Sequence, residues 1–323
     1  MADPGDGRPS LRGRLLIAGA GLLAVLPERP LVAAADSVGE LWYRLAPSRA
    51  AQARANLRRV CEDLAATGRG PRRARRAATE PRELERLVRA CFRHTVRYYL
   101  EVARAGSYDI ETALARMDVE TPDVVRVALQ SGGPAILLGL HFGAIELPTV
   151  FMAHHLGRPV TAPMETVSDP AVARWFRESR SRVGANLIPV VNARRALLDA
   201  LRRGDSVGLV NDRDLTGGGL LVPFFGAPAP IPPGAALLAI ETGVPMYVAA
   251  CRRTSGGRYS GKLVHVPAPV EGTRRERMTE LTARIAATFE TIIADAPEQW
   301  WGAFHPIWRD LAKAGSNGKA DAA

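Results

Sequence analysis

Between residues 134 and 270, short apolar runs rich in valine and isoleucine alternate with stretches long enough to be helices, and no other feature of the 323-residue chain restricts its fold so strongly. The runs are PAILLGL (134–140), PVTAPM (159–164), NLIPVV (186–191), SVGLVND (206–212), VPMYVAAC (244–251) and KLVHVPAPV (262–270). Helical segments fit between them at about 144–155, 170–183, 193–203, 234–242 and 275–294. Apolar strands that alternate with helices are buried on both faces and join in parallel. The expected fold class is α/β, a largely parallel central sheet with helices on both faces.

Upstream, from Asp36 to about Ser107, apolar residues recur at three- and four-residue spacing, as in Leu84, Leu87, Val88, Cys91, Phe92 and Val96. An N-terminal helical region therefore precedes the sheet. GRGPRRARRAATEPREL interrupts it, with Thr79, Pro81 and Glu83 marking a new helix start, and TPDVV opens a short helix over 121–130. This divides the chain into a segment 1–33, a domain 34–310 that is mainly helical to 130 and α/β from 131, and a tail 311–323 whose composition predicts disorder.

The N-terminal segment contains LLIAGAGLLAVL (15–26) after Arg12 and Arg14. A spanning helix needs about 20 apolar residues, and Pro27, Glu28, Arg29 and Pro30 end this run sooner. A helix lying in the membrane interface is expected, with Trp42 and Tyr43 as interfacial anchors. Gly19, Gly21 and Ala24 match a dinucleotide-binding spacing, but no strand precedes them, and their small size is read as allowing close helix packing.

The net charge of +10 is concentrated: residues 49–97 hold fourteen arginines against five acidic residues. Nucleic acid, anionic lipid and phosphorylated substrates all fit such a cluster, as does a solvated helical surface. No aromatic-and-basic RNA motif or helix-turn-helix pattern is present, which sets nucleic acid aside. Cys61, Cys91 and Cys251 form no C-x-x-C pair, so neither a disulfide framework nor a zinc cluster is written here. The adjacent His154 and His155 point apart at a helix end, and no metal site is expected. His265, in a strand, and His305, before a proline, are read as packed or exposed side chains.

One histidine is placed differently. In ILLGLHFGAIELP (136–148), an apolar strand runs into His141, Phe142, Gly143, Ala144, Ile145 and Glu146. On a single helix, the five-residue step from His141 to Glu146 would set them about 140° apart and out of contact. At a strand-to-helix turn permitted by Gly143, Glu146 in the first helical turn can approach the imidazole. Reactive groups of open α/β sheets gather beyond the carboxyl ends of the strands. Asp212 ends another strand, and Glu165 follows the one at 159–164. With no G-x-S-x-G elbow and no G-K-[ST] loop, a histidine with a carboxylate partner points to a general base acting on a substrate hydroxyl.

HFGAIE resembles the H-x4-D/E block of the bacterial lipid A biosynthesis acyltransferases and their actinobacterial relatives, the phosphatidylinositol mannoside acyltransferases. The resemblance extends to RANLRRVC (54–61), DRDLTGGGLLVPFFG (212–226), PPGAALLAIETGVPM (232–246) and APEQWWGAFHPIW (296–308), from about residue 36 to 310. It implies transfer of an acyl group from a thioester to a lipid hydroxyl, with acyl-CoA or an acyl carrier protein as donor and a glycolipid or phospholipid as acceptor. No cofactor is implied, acyl-CoA being a substrate. By position, His141 is the base and Asp212 its paired acid, while Glu146 closes the block, so both carboxylates compete to orient the imidazole; Asp212 is favoured as the imidazolium partner, and Glu146 is given a structural or acceptor-binding part. Glu165, Arg180, Arg213 and Asp214 match family positions for substrate binding. Phe224 and Phe225 either line an acyl groove or belong to the core. Where many relatives carry Asn-Trp, this chain has Ala144-Ile145, and the acid before Arg213 is Asp rather than Glu. The implied location is the cytoplasmic face of the plasma membrane, as a peripheral or monotopic protein on an anionic surface.

Overall fold

The computed structural model describes residues 10–105, 110–164, 167–191 and 193–312. Glu165 and residues 313–323 of the tail lie outside the described residues. The chain opens with α1 (Leu11–Val25), α2 (Glu28–Leu45), α3 (Pro47–Thr67), α4 (Arg72–Arg76), α5 (Pro81–Arg104) and α6 (Ile110–Ala115). There follow β1 (Met117–Val119), α7 (Pro122–Gln130), β2 (Ile136–Gly139), α8 (Glu146–Leu156), β3 (Val160–Met164), α9 (Pro170–Ser181), β4 (Ala185–Pro189), α10 (Ala193–Arg202) and β5 (Ser206–Val210). The chain then forms β6 (Leu220–Phe224), β7 (Ala227–Ile231), α11 (Gly234–Thr242), β8 (Met246–Arg253), β9 (Tyr259–His265) and α12 (Arg274–Asp295).

Among the described residues seven strands make one sheet in the order β1-β9-β8-β2-β5-β3-β4, parallel throughout except where β9 runs against β8. Successive side chains of a strand point to opposite faces. Accordingly, Ile136 and Leu138 join the large core with α3, α5, α11 and α12, whereas Leu137 joins a second cluster under α7 and α8. The α/β class with helices on both faces and a helical N-terminal region is what the sequence predicts.

Local signals place the helices. Asp169 caps α9 by accepting from the amides of Ala171 and Val172, with Pro170 at the first turn. Thr273 and Glu276 form a reciprocal capping box at α12. The hairpin β6–β7 is absent from the sequence reading because Pro223, Pro228 and Pro230 interrupt it. A two-stranded ribbon tolerates them, every strand there being an edge. Its two-residue loop, Phe225-Gly226, has positive φ at both positions, and burial of the Phe225 ring with a bond from its amide to Glu290 offsets the strain.

The helical region corrects two expectations. Trp42 and Tyr43 are not interfacial anchors: Trp42 packs on Phe92 and Phe304, and Tyr43 packs on Phe92 and donates to Glu85. The arginine cluster is largely matched by acids from elsewhere. Arg89 and Arg93 pair with Glu40, Arg97 with Asp36, Arg69 with Asp63 and Glu290, and Arg59 with Asp310. Gly39 lets α2 approach the backbone of Arg93, while Gly19 and Gly21 of α1 face open space and do not serve packing. Residue 33 lies inside α2, so the break after the first helix falls at Leu26-Pro27. Among the described residues no helix is long and apolar enough to cross a membrane.

Candidate active site

β2 and β5 are parallel neighbours, with Gly139 opposite Val210 and the amide of Asn211 donating to Gly139. Both strands end within two residues of that pair, so His141 and Asp212 emerge side by side at the carboxyl edge of the sheet. The turn after His141 is held from several sides. The amide of Phe142 donates to Leu140, that of Gly143 to Gln299 at 3.0 Å, and that of Ala144 to Cys251 at 2.8 Å. Gly143 has φ +53°, and a Cβ there would lie 2.1 Å from the Cys251 carbonyl oxygen, so only glycine fits. The carbonyl of His141 accepts from the amides of Trp301 and Gly302.

His141 Nδ1 lies 2.5 Å from Asp212 Oδ1, and the His141 amide donates to Oδ2 at 3.0 Å. The Trp300 indole N–H donates to Oδ2 at 2.9 Å. The Asp212 side chain is wholly buried and that of His141 is 13% exposed. Burial opposes ionisation of Asp212, but the facing His141, its hydrogen bond and the Trp300 donor together hold the carboxyl below its ordinary range. An ionised acceptor at Nδ1 selects the Nδ1–H tautomer and leaves Nε2 with a lone pair. Trp301 packs edge-on against the imidazole at 4.5 Å, which with the Asp212 bond fixes the ring plane.

Glu146, at the start of α8, turns to Arg180 of α9 rather than to His141, with Arg180 Nη2 at 2.7 Å and Nε at 3.2 Å. Arg180 is 8% exposed, lies over the Phe176 ring at 4.6 Å, and its buried Nη1 has no hydrogen-bond partner among the described residues. Arg213 Nη1 donates to His305 Nε2 at 2.5 Å. Burial and the neighbouring Arg213 push His305 down to about 4, which keeps it the neutral acceptor.

Two expectations change here. Asp214 spends its oxygens on the amides of Thr216, Gly217 and Gly219, shaping a loop instead of facing a substrate. Phe224 and Phe225 are 0% and 2% exposed, and Phe224 stacks on Trp308, so they belong to the core and not to a groove.

A cleft of about 530 Å³ opens at this edge, with His141, Glu146, Arg180 and Arg213 at its polar end. Its apolar part crosses the sheet over Ala162, Leu187, Gly208 and Val210. Three residues that sequence reasoning left without a role, Gln299, Trp300 and Trp301, hold the histidine. Their only signal was the tryptophan pair within a block quoted for its resemblance.

The fold and this cleft correspond to a known class. The family model of the bacterial lipid A biosynthesis acyltransferases matches residues 13–310, and the chain belongs to that family. It is an acyltransferase, an enzyme that takes an acyl donor and a lipid acceptor. Among its relatives is the phosphatidylinositol mannoside acyltransferase of Mycolicibacterium smegmatis, 30% identical over 218 residues that cover 66% of this chain and 70% of that one. The protein of the same name from Mycobacterium tuberculosis is 28% identical over 225 residues, covering 68% and 69%.

Proposed function

We propose that the protein moves a fatty acyl chain from a thioester, acyl-CoA or an acyl carrier protein, to a hydroxyl of a glycolipid such as a phosphatidylinositol mannoside. The observation that carries this reading is the His141–Asp212 pair, 2.5 Å apart at the polar end of an apolar cleft. Nε2 of His141 takes the acceptor's proton as its oxygen attacks the thioester carbonyl, and Asp212 balances the imidazolium. The tetrahedral intermediate collapses with loss of the thiolate, which the imidazolium protonates, so ester and thiol leave and no cofactor is consumed. The acyl chain occupies the apolar part of the cleft.

Charge on the tetrahedral oxygen is not met by the turn after His141, because the amides of Phe142, Gly143 and Ala144 already have acceptors. Among the described residues Arg180, whose Nη1 is buried there without a hydrogen-bond partner, and Arg213 are the cationic donors lining the cleft, for that oxygen or for a substrate phosphate. Glu146 orients Arg180 and so serves acceptor binding.

Membrane attachment follows from α1. Fifteen residues span about 22 Å, short of a bilayer core of about 30 Å. Beyond Arg12 and Arg14 the helix carries no charged residue: one side packs on α5 and α9, and Leu11, Leu15, Leu16 and Leu22 stand 60–74% exposed. This supports peripheral attachment to a membrane surface; the cytoplasmic face of the plasma membrane is proposed because the thioester donors are found there.

The test is to incubate the purified full chain with labelled acyl-CoA, or acyl carrier protein in parallel, and a membrane lipid extract. The expected product is an O-acylated glycolipid, reduced about a hundredfold or more in His141→Ala. Label found only on a simple lysophospholipid would transfer the protein to that substrate class. No transfer to any lipid would mean a catalytically silent lipid-binding homologue.

A further inference from the structure

We propose that Arg253, through its buried ion pair with Glu101, is a positioning residue that fixes the turn after His141 for proton transfer; this rests on reading His141 as the base. Arg253 ends β8 and is 9% exposed, and neither it nor Glu101 lines the catalytic cleft. Its Nε and Nη2 donate to the two carboxylate oxygens of Glu101, from α5, at 2.7 and 2.5 Å. The same Nη2 donates to the carbonyl of Gly143 at 3.1 Å. Tyr259 adds a hydroxyl bond to Glu101 at 3.2 Å.

The backbone of Arg253 is fastened as firmly as its side chain. Gln299 accepts from the Arg253 amide through Oε1 and donates to its carbonyl through Nε2, both at 2.8 Å. The main-chain carbonyl of Gln299 in turn receives the Gly143 amide. Residues 253 and 299 therefore hold both polar groups of Gly143, two residues beyond His141. Stability alone does not call for a charged pair here, since apolar replacement of a buried ion pair is often neutral. What the pair supplies is direction: one planar fork meets a carboxylate with two donors and still points a third hydrogen at the turn, which an ammonium does not reproduce. A displacement of about 1 Å in a reacting group costs on the order of a hundredfold in rate.

The test compares Arg253→Lys, which keeps the charge opposite Glu101, with Arg253→Met/Glu101→Leu, which removes both charges and so avoids stranding one. In both, kcat should fall about thirty- to a hundredfold with KM within about threefold, while the double variant melts near the wild type. In a His141→Ala background, Arg253→Lys should cost less than about twofold more, because the two act on one step. Near-wild-type kcat in the double variant overturns the proposal, as does a loss confined to KM, or an Arg253→Lys loss undiminished in the His141→Ala background. Full activity in His141→Ala alone refutes the base itself, a result read separately from any Arg253 variant.

Discussion

The Nδ1 and amide of His141 and the indole of Trp300 fill the oxygens of Asp212. Asp212→Asn keeps the shape, removes the charge and permits the wrong imidazole tautomer. It should lower kcat at least about a hundredfold with KM little changed. Glu146 reaches Arg180 instead, so Glu146→Gln should mainly raise the acceptor KM; steady-state kinetics of the two variants separate the roles, and the reverse pattern would exchange them. His305 supplies a pH effect. Its neutral form is favoured in the fold, with a pKa near 4 against an ordinary 6.5. The stability it contributes is complete above about pH 6.5 and is lost as pH falls towards 4. His305→Gln, which accepts from Arg213 without titrating, should lose less melting temperature between pH 7.5 and 5 than the wild type, as differential scanning calorimetry can show.

At the scale of elements, the floor of the cleft is set by β3 and β5. Gly208 lies on β5, where a Cβ would sit 3.2 Å from a Val160 methyl and 3.8 Å from the Ala162 Cβ, filling space that the cleft now occupies. Gly208→Leu adds a branched side chain to that floor, and the neighbouring methyl needs to yield only a few tenths of an ångström. Transfer from a sixteen-carbon thioester should drop by about tenfold relative to a ten- or twelve-carbon one, the scale of a few lost apolar contacts. Competition between the two donors in one reaction measures the ratio. An equal loss at every length would place the acyl chain elsewhere.

For the whole molecule, the proposed attachment helix α1 packs on α9, the helix that carries Phe176 and Arg180. Ser10 bonds Asp169 at the start of α9, but Asp169 caps α9 without it through Ala171 and Val172. Deletion of the chain up to and including Leu26 should therefore leave a folded α/β core. Salt dependence does not come chiefly from residues 49–97, whose arginines are largely paired. Among the described residues Arg12 and Arg14 of α1, and Arg174, Arg177 and Arg182 in or just after α9, pair with no carboxylate. They sit on or next to two helices that pack together, one of which carries the exposed leucines. Full-length protein should sediment with anionic vesicles at low salt and be released at high salt, and the truncated protein should bind several-fold less. Binding that salt leaves unchanged and only detergent reverses would mean insertion rather than attachment.

The strands and helices of the α/β region were legible because their signals are local. Periodicity separates β2 from α8, Asp169 and Pro170 announce α9, and a glycine after His141 marks a turn. Membership of the sheet edge was legible for the same reason, and it singled out His141 and Asp212. Which carboxylate meets the imidazole was legible only as a preference for Asp212 drawn from the resemblance, since the contact depends on β2 and β5 being neighbours although 71 residues separate the pair. Glu146 is closer in sequence and turns away because Arg180 of α9 occupies both its oxygens. The arginine cluster reads as a charged surface until Glu40, Asp36, Glu290 and Asp310 arrive from distant segments. Sequence thus determined the elements and the chemical types at their ends, whereas partnership, burial and the clasp of Gln299, Trp300 and Trp301 on His141 were decided by packing, which brings together residues no local pattern relates.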